Sequence, residues 1–370
     1  MAGIYIHIPF CKSRCLYCDF FSTTRLPERE QYVKAAAAEI GMRTDYLPDK
    51  HIKTIYFGGG TPSLLDSTSI AFLLNTIREN YDVDKQAEIT LEGNPNDLTK
   101  EYLHQLKRIG INRLSIGIQS FDNKQLLRLG RRHTAADALA AIQQAQNAGF
   151  ENISIDLIYG LPAQTPSELE RDIDNALALN IQHLSTYCLT YESGTRLTQL
   201  RDAGKIQETN DDTLNSMYET ICRRLKEADF EHYEVSNFAR KGYRSQHNSA
   251  YWNDTPYLGI GAAAHSYNQK SRQWNPSNME EYIYQITNHK QVAEIETLSD
   301  TDRYNERIML SLRTAEGIQL NQLTTQEQTY CIEQARPYIT TGKLVHTDNR
   351  LIASAMGINI LNHITEHLMR

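Results

Sequence analysis

Three of the six cysteines in this chain lie close together, in the segment C-K-S-R-C-L-Y-C that runs from Cys11 to Cys18. Thiolates at the spacing C-x3-C-x2-C suit three chemistries. A structural zinc takes four protein ligands and would need a further one such as His7, whereas a redox pair at Cys15 and Cys18 would leave Cys11 without a role. A 4Fe-4S cluster normally takes four thiolates, so three would leave one iron open to a small molecule. The spacing favours the cluster and leaves zinc as an alternative.

The overall charge and the start of the chain limit the partners and the compartment. The formal net charge is −7, which argues against a general binder of nucleic acid or anionic membranes, because such proteins present basic surfaces. The sequence has no apolar run near the roughly 20 residues of a spanning helix, and MAGIYIHIPF does not resemble a signal peptide. We therefore expect a cytoplasmic protein with no nucleic-acid partner and no stable membrane insertion. Clustered cysteines there are more often metal ligands than disulfides, and the isolated Cys188, Cys222 and Cys331 are expected to be inert.

A second segment with unusual composition is Y-F-G-G-G-T-P-S-L-L (56–65). Glycine lets a backbone approach a ligand closely, because no Cβ intervenes. The segment lacks both the G-K-[ST] ending and the G-x-G-x-x-G pattern of phosphate-binding loops. It suits an amino-acid-like ligand, whose ammonium group backbone carbonyls can hold, and a tight structural turn is the alternative.

The elements that must position these motifs alternate between strand and helix over the first half of the chain. Thr99 and Thr134 occupy N-cap positions, and Gly110 and Gly149 follow helical segments. Such alternation indicates parallel strands joined by right-handed crossovers. The six predicted strands are 4–10, 54–59, 88–93, 113–119, 152–160 and 183–190.

The ends of these strands distinguish a barrel from an open sheet. Polar residues gather there, as at Glu92, Gln119 and Asp156. A site built from the carboxyl ends of many strands is typical of a (β/α) barrel, whereas an open sheet concentrates its contacts at one switch point. Six units predict an α/β fold whose core is a partial (β/α)6 barrel of the TIM type.

After Tyr191 the alternation stops, and the chain becomes aromatic and loop-rich before a final set of helices and a strand–turn–strand. The last part predicts a small winged-helix-like α+β domain. We therefore predict a core over 1–235, a connecting region over 236–299 and the winged-helix-like domain over 300–370.

The two motifs together resemble those of the radical S-adenosylmethionine (radical SAM) superfamily. The resemblance implies a partial (β/α)6 barrel and a 4Fe-4S cluster whose open iron chelates the amino and carboxylate groups of S-adenosylmethionine (SAM). It implies that an electron from a donor such as flavodoxin or ferredoxin releases a 5′-deoxyadenosyl radical. By motif position, Cys11, Cys15 and Cys18 would ligate the cluster.

The same resemblance assigns contacts with the cofactors to nine further residues. An unpaired carboxylate is costly to bury, so Asp156 in the apolar segment ISIDLIYGLP is expected to have a functional partner. Arg131 could instead belong to a solvated Arg-Arg pair. The family positions place Tyr17 beside the adenine, Tyr5 beside the cluster, Gly59, Gly60 and Thr61 at the SAM ammonium, and Glu92, Gln119, Arg131 and Asp156 elsewhere on SAM.

Almost the full length resembles the coproporphyrinogen III oxidase-like branch of that superfamily, through segments such as IYIHIPFC, RLSIGIQSF, LGRRHT, IDLIYGLPAQT and HYEVSNFA. Within this branch, the oxygen-independent coproporphyrinogen III dehydrogenase of porphyrin metabolism has a longer N-terminal extension and a further cysteine two residues past the third. Phe20 occupies that position here, and Cys11 follows only ten residues. HemW-type haem chaperones instead share the C-x3-C-x2-C-x-F loop and an H-N-x-x-Y-W segment, and this chain has both.

The H-N-x-x-Y-W segment indicates how haem could be held. An imidazole can ligate haem iron axially, and aromatic rings can pack on a porphyrin. We therefore expect His247, Tyr251 and Trp252 to contact haem, although these aromatics could merely cap the barrel. The prediction is a haem chaperone that binds the cluster, SAM and haem and delivers haem to an acceptor protein, with no catalytic residue assigned. The alternatives are the dehydrogenase and a SAM-dependent methyltransferase or other tailoring enzyme.

Overall fold

Six parallel strands form the centre of the molecule, and helices connect each to the next. The computed structural model describes residues 1–290 and 293–370. The strands are Ala2–Ile8 (β1), His51–Gly59 (β2), Asp82–Gly93 (β3), Arg113–Gln119 (β4), Asn152–Tyr159 (β5) and His183–Cys188 (β6). They pair side by side in sequence order, each parallel to the next, which confirms the predicted α/β core.

The sheet continues beyond both outer strands of this core. On the β6 side it adds Glu231–Glu234 (β7) and Asn237–Ala239 (β8), with β8 antiparallel to β6. On the β1 side it adds Tyr257–Ile260 (β9), His265–Tyr267 (β10), Ser271–Trp274 (β11) and Glu294–Thr297 (β12), with β9 parallel to β1. Because β12 and β7 are the two ends of one twelve-stranded sheet, the barrel is open, as a partial barrel requires.

Most helices begin and end at the positions that the capping residues in the sequence predicted. Thr99 and Thr134 are N-caps whose side chains accept backbone N–H groups, and Gly110 ends its helix with φ +105°. The third strand begins at Asp82 and not at 88 as predicted. Its first residues are mostly polar and lie outside the core, so they show no apolar alternation. The helices up to the end of the sheet are Arg29–Met42 (α1), Ser67–Asn80 (α2), Lys100–Ile109 (α3), Asn123–Arg128 (α4), Ala135–Asn147 (α5), Pro166–Leu177 (α6), Arg196–Asp202 (α7), Asp211–Glu227 (α8), Gln246–Trp252 (α9) and Met279–Thr287 (α10).

The two faces of the barrel strands carry opposite kinds of residue. In β1, Ile4, Ile6 and Ile8 are fully buried in the main hydrophobic cluster, which includes residues of the surrounding helices. Their alternates, Tyr5 and His7, lie in register with Tyr56 and Gly58 of β2 on the inner face. A TIM barrel is ordinarily filled by branched apolar side chains. Here the register places polar residues and glycine on the inner face of the strands, namely Thr54, Tyr56, Glu88, Thr90, Glu92, Arg113, Ser115, Gly117, Ser154, Asp156, His183, Ser185 and Tyr187.

The C-terminal part has its own hydrophobic cluster and its own sheet. Asp300–Ser311 (α11) and Thr325–Thr340 (α12) pack with strands Ile318–Gln319 (β13), Leu344–Thr347 (β14) and Arg350–Ala353 (β15), in the sheet order β13-β15-β14. The arrangement is winged-helix-like, as predicted. The single last helix that the sequence suggested is two, Ala355–Ile358 (α13) and Leu361–Leu368 (α14). The proposed domain boundaries at 235 and 299 stay predictions.

Within the residues described, none of the helices has the length and apolar character needed to span a bilayer.

Candidate functional site

The three-cysteine loop leaves the carboxyl end of β1 and returns beside it. Cys11 is buried, with its Sγ 3.5 Å from Oγ1 of Thr61, while Cys15 and Cys18 are half-buried. All three are free thiols. Burial raises the pKa of Cys11, and it raises the pKa of Cys18 to about 11. These thiols therefore need a nearby positive charge, such as that of bound iron, to become thiolates.

His7 does not complete a zinc site with these cysteines. Its Nδ1 lies 3.0 Å from the Tyr5 hydroxyl and its Nε2 lies 2.9 Å from the carbonyl oxygen of Phe21, so both ring nitrogens are engaged. Burial lowers the pKa of His7 to about 4, so the ring is neutral at physiological pH. In the described part of the chain, no three His, Cys, Asp or Glu side chains are grouped closely enough to hold one metal ion.

Arg131 connects the loop to the barrel interior. Its Nη1 donates to Sγ of Cys15 at 3.4 Å, and its Nη2 donates to the carbonyl of Gly117 at 2.6 Å and to Oδ1 of Asn94 at 3.3 Å. Its buried Nε has no hydrogen-bond partner among the described residues. Arg132, by contrast, points to Asp97 on the outside. Arg131 is thus part of the site and not half of a solvated pair.

The glycine-rich loop lies against the start of the cysteine loop. A Cβ on Gly59, whose φ is +110°, would meet the ring of His7 at 2.6 Å, and a Cβ on Gly60 would meet the Pro9 backbone at 2.8 Å. The backbone N–H groups of both glycines already donate within the protein, to Glu92 and to Ile8. Close packing therefore explains these glycines without a ligand, and the carbonyl groups are left as the part of the loop that could meet an ammonium group.

The predicted polar set converges on the barrel interior. The Tyr56 hydroxyl donates to Oε1 of Glu92 at 2.7 Å, and the Ser115 hydroxyl donates to Oδ1 of Asp156 at 3.4 Å. Both carboxylates keep part of their surface accessible to water although protein surrounds them, as expected for groups that line an internal chamber. Burial raises the pKa of Glu92 to about 7, and burial also raises the pKa of Asp156.

Gln119 lies at the end of β4 in a strained backbone conformation. Its φ is +72°, in the left-handed region that non-glycine residues rarely adopt. The position of a Cβ on Gly117 lies 2.9 Å from Nε2 of Gln119 and 3.3 Å from Nη2 of Arg131, so these side chains lie together. Strain of this kind is typical of functional sites.

The two predicted tyrosine contacts occupy different places. Tyr17 is half-buried on the cysteine loop near Arg131, and burial raises its pKa. Tyr5 stands in the barrel interior, where its ring lies beside the rings of Tyr56 and His247 at centroid distances of 6.2 and 6.4 Å. It is linked to the end of the cysteine loop through His7: the Tyr5 hydroxyl donates to Nδ1 of His7, and Nε2–H of His7 donates to the carbonyl oxygen of Phe21.

The interior also contains polar residues that the sequence reasoning missed. Tyr56, Arg113, Ser115, Ser185 and Tyr187 all lie on the inner face, and 42% of Tyr187 is exposed to water although its neighbours include Asp156 and Glu92. The missed signal was the alternation of each strand, since every second residue of the segments IYIHI, RLSIG and ISID is polar or glycine.

The H-N-x-x-Y-W segment forms α9. The prediction that His247, Tyr251 and Trp252 all contact haem stays a prediction, and the structure places Trp252 apart from the other two. His247 is buried at the opposite end of the barrel, with Nδ1 2.8 Å from Oγ1 of Thr54 and Nε2 3.0 Å from the hydroxyl of Tyr251. Neither nitrogen is free to bind iron. Trp252 points elsewhere and lines a cleft of about 300 Å³ between α9 and α11, beside Arg307. The segment does not form one haem pocket in this structure.

The geometry can be compared with known proteins. The family model of the radical SAM superfamily matches residues 5–176, and that of the HemN C-terminal domain matches residues 298–359. A protein of Mycobacterium tuberculosis called heme chaperone HemW is 32% identical over 99% of this chain and 94% of its own. The chain belongs to the HemN/HemW branch of the radical SAM superfamily. A HemW of Escherichia coli is 38% identical over 71% of this chain and 69% of its own.

Among solved structures, coproporphyrinogen III oxidase (HemN) from Escherichia coli, a radical SAM enzyme, superimposes with a TM-score of 0.86. The match covers 100% of this chain and 90% of HemN at 23% identity. It shows that the fold is shared across the core and the C-terminal domain.

Membership of this superfamily implies a 4Fe-4S cluster and SAM, and the residues present fit both groups. Three thiols on one loop supply the soft ligands that iron–sulfur clusters take. Beside them lie a buried guanidinium with one nitrogen unpartnered among the described residues, and a chamber whose walls offer carboxylate and amide groups to a polar cofactor.

Proposed function

We propose that this protein is a haem chaperone of the radical SAM type, which binds a 4Fe-4S cluster, SAM and haem and passes haem to an acceptor protein. The observation that carries the proposal is the similarity along 99% of the chain to a relative called heme chaperone HemW. Phe20, where the dehydrogenase would have a further cysteine, agrees with it. Similarity to HemN supports the fold alone, so the dehydrogenase activity is the outcome that the test must exclude.

In this proposal Cys11, Cys15 and Cys18 hold the cluster, which when bound and reduced supplies an electron to SAM. Nη1 of Arg131 donates a hydrogen bond to Sγ of Cys15, so a positive charge lies beside this ligand. The neutral Thr61 hydroxyl lies 3.5 Å from Sγ of Cys11, and this hydrogen bond lowers the pKa of that thiol against the larger increase that burial causes. The electron would come from a donor protein such as flavodoxin or ferredoxin.

SAM is proposed to lie across the open end of the chamber. Its polar groups need acceptors and donors that do not move, and the inner face of β3, β4 and β5 provides them through Glu92, Gln119 and Asp156. Tyr17 offers an aromatic face for the adenine, and the carbonyl groups at Gly59 and Gly60 offer acceptors for the ammonium group. Because each of these side chains is fixed by hydrogen bonds or packing, binding orders little additional protein.

Haem binding is proposed on the basis of the named relatives, with a revised view of the residues involved. His247 is assigned a structural role, because both its nitrogens are bonded inside the protein. Tyr251 belongs with it, since its hydroxyl is the second partner. Trp252 remains the residue of this segment that can present an aromatic face to a porphyrin, from the cleft beside α11.

The test uses protein reconstituted with iron and sulfide in the absence of oxygen. The expected results are one 4Fe-4S cluster per chain, a change in the electron paramagnetic resonance spectrum of the reduced cluster when SAM is added, and a Soret band on titration with haem. Haem should then move to an apo haem protein mixed with the loaded chaperone. Conversion of coproporphyrinogen III to protoporphyrinogen IX would overturn the proposal in favour of the dehydrogenase.

Variants of the cysteines distinguish iron that is bound in the cluster from iron that is bound elsewhere on the protein. Replacing Cys11, Cys15 or Cys18 with alanine should abolish the cluster, whereas Cys222→Ala, in a half-buried thiol outside the loop, should retain it. Zinc in place of iron, or iron bound equally by the Cys15→Ala variant, would contradict the assignment of ligands.

A further inference from the structure

Arg113 is the largest side chain that is fully buried in the described structure, and no role has been assigned to it so far. It is the first residue of β4 and faces the barrel interior. No carboxylate of the described residues forms an ion pair with it, and its Nε and Nη2 atoms have no hydrogen-bond partner there. A buried cation without paired anions is strongly unfavourable. Something in the interior must compensate its charge.

The strand register shows which groups can do so. Arg113 is directly opposite Thr90 of β3 and Asn152 of β5. On the same inner face, Glu92 is two residues further along β3 and Asp156 is four residues further along β5. Glu88, two residues earlier on β3, already accepts the backbone N–H groups of Gln246 and His247. The long guanidinium side chain therefore rises from between the two strands that carry the carboxylates, on the side away from the cysteine loop.

The electrostatics agree with this placement. Burial is the largest influence on both carboxyl groups and raises the pKa of each, while the charge of Arg113 lowers both. Glu92 and Asp156 also repel each other, so the two need a shared cation more than either would alone. A guanidinium keeps its charge at any physiological pH, which suits it to the task.

We propose that Arg113 is a positioning residue whose guanidinium is the shared internal counter-charge of Glu92 and Asp156 and favours the ionised form of both below the cofactor end of the chamber. The effect on SAM binding rests on the function proposed above, whereas the effect of Arg113 on the ionisation of the two carboxyl groups does not. Ionised carboxylates accept hydrogen bonds from a ligand, whereas protonated ones compete for acceptors. Arg113 would thereby set the lowest pH at which the chamber can bind SAM, although Arg113 itself would not contact SAM.

Several other groups face the two carboxylates and have to be held constant in a test. Among the described residues none of them is hydrogen-bonded to the Arg113 side chain, so replacing Arg113 removes no hydrogen bond that holds them. Around Glu92 they are Tyr5, Tyr56, the N–H of Gly59, Tyr187 and Tyr251, and around Asp156 they are Ser115, Arg131, Ser185, Tyr56 and Tyr187.

The experiment measures carboxyl protonation directly, in full-length protein without added cofactor. Difference infrared spectra recorded across pH give the fraction of protonated carboxyl groups, and Glu92→Gln and Asp156→Asn identify the two bands. In Arg113→Met, which keeps an unbranched apolar stem but not the charge, the bands should persist about one pH unit higher or more. Arg113→Lys, which keeps the charge, should restore the wild-type titration. Unchanged titration in a folded Arg113→Met protein would overturn the proposal.

Folding and cofactor binding are controlled separately. Circular dichroism establishes that each variant is folded. If Arg113→Met does not fold, the Lys variant decides, because a carboxyl titration in folded Arg113→Lys that is shifted upward from that of the wild type would contradict a role for the charge. In reconstituted protein, SAM affinity at pH 7 should fall about tenfold in Arg113→Met and recover at higher pH. If wild-type protein binds no SAM, the proposed function fails while the infrared result still decides the role of Arg113.

Discussion

The Nδ1 atom of His247 lies 2.8 Å from Oγ1 of Thr54, so a helix outside the core inserts its side chain into the barrel. The backbone N–H of the same residue donates to Glu88 at 3.0 Å, and its ring packs on Tyr56 with centroids 5.0 Å apart. This side chain closes the end of the barrel opposite the cysteine loop. The end of the barrel at the start of the strands is thus closed by a side chain of α9.

The first prediction follows from that seal. His247→Ala should lower the free energy of unfolding by about 2–4 kcal/mol, because it leaves the Thr54 and Tyr251 hydroxyls unpaired and creates a cavity. Chemical denaturation measures the change. His104→Ala, at an exposed position on α3, is the control and should change stability by less than about 0.5 kcal/mol. A stable His247→Ala protein with weakened haem binding would instead restore the axial-ligand role.

The second prediction concerns Glu39, a fully buried carboxylate on α1. It accepts hydrogen bonds from the hydroxyl of Tyr282 at 2.7 Å, the N–H of Gly261 at 2.8 Å and the side-chain amide of Asn275 at 2.8 Å, all from the distant segment that carries β9 to α10. Glu39→Ala should destabilise the protein by about 3–5 kcal/mol, because several buried donors lose their acceptor.

A matched control for Glu39 lies on the same helix. Glu30 forms an exposed pair with Lys34, so Glu30→Ala should leave the free energy of unfolding nearly unchanged. Thermal or urea unfolding of the two variants makes the comparison, and equal losses would show that Glu39 does not hold the two segments together.

The third prediction uses two glycines with opposite surroundings. Gly59→Ala should cost about 2–4 kcal/mol, because it combines a φ of +110° with a Cβ 2.6 Å from the His7 ring. Gly41→Ala, inside α1 with no atom near the added Cβ, should instead stabilise the protein by about 0.5–1 kcal/mol. Urea midpoints measure both. A neutral Gly59→Ala variant would mean that the loop can move away from β1.

The fourth prediction is a pH dependence at His133. Burial lowers its pKa to about 4, and its Nε2 lies 3.0 Å from the carbonyl oxygen of Ile118. The unfolded chain therefore binds a proton below about pH 6.5 that the folded chain resists, so this residue's contribution to stability is lost as pH falls from 6.5 toward 4. Compared with His133→Gln, the wild-type protein should lose about 3 kcal/mol more over that interval.

Urea denaturation at several pH values measures this difference. Gln125→Ala serves as control, because Gln125 is equally buried on the neighbouring helix α4 and does not titrate. Its effect on stability relative to wild type should be the same at every pH. A pH-independent difference for His133→Gln as well would show that the ring is protonated or exposed in the folded protein.

The sequence revealed the core of this fold because its strands and helices are long enough to show a period. Thr99 and Thr134 marked helix starts for a local reason, the hydrogen bond between a cap and its own helix. The segment from 236 to 299 was predicted as loops because β8 to β11 are only three or four residues long. Strands that short are stabilised mainly by the neighbouring strands with which they pair, and the local sequence contains no pattern that identifies those neighbours.

The site divides in the same way. The cysteine loop and the polar strand ends could be predicted because motifs fix which residues occur and where each strand stops. The direction of a side chain on α9 could not, so the sequence did not indicate that His247 enters the core, where it contacts Thr54. Glu39, within the run AAAAEIG, gave no signal either, since its partners lie more than two hundred residues away.

The hydrophilic lining of the barrel has a consequence for how the protein can change over time. The helices pack on the outer face of the strands, so the stability of the fold depends on that face and the chemistry depends on the inner face. Inward residues near the cofactor end, such as Glu92, Asp156 and Tyr187, keep part of their surface accessible to water, so replacing one of them leaves the packing of helices on strands unchanged. Related proteins can thus acquire new reactivity on this scaffold by mutation along one face, with little danger of unfolding.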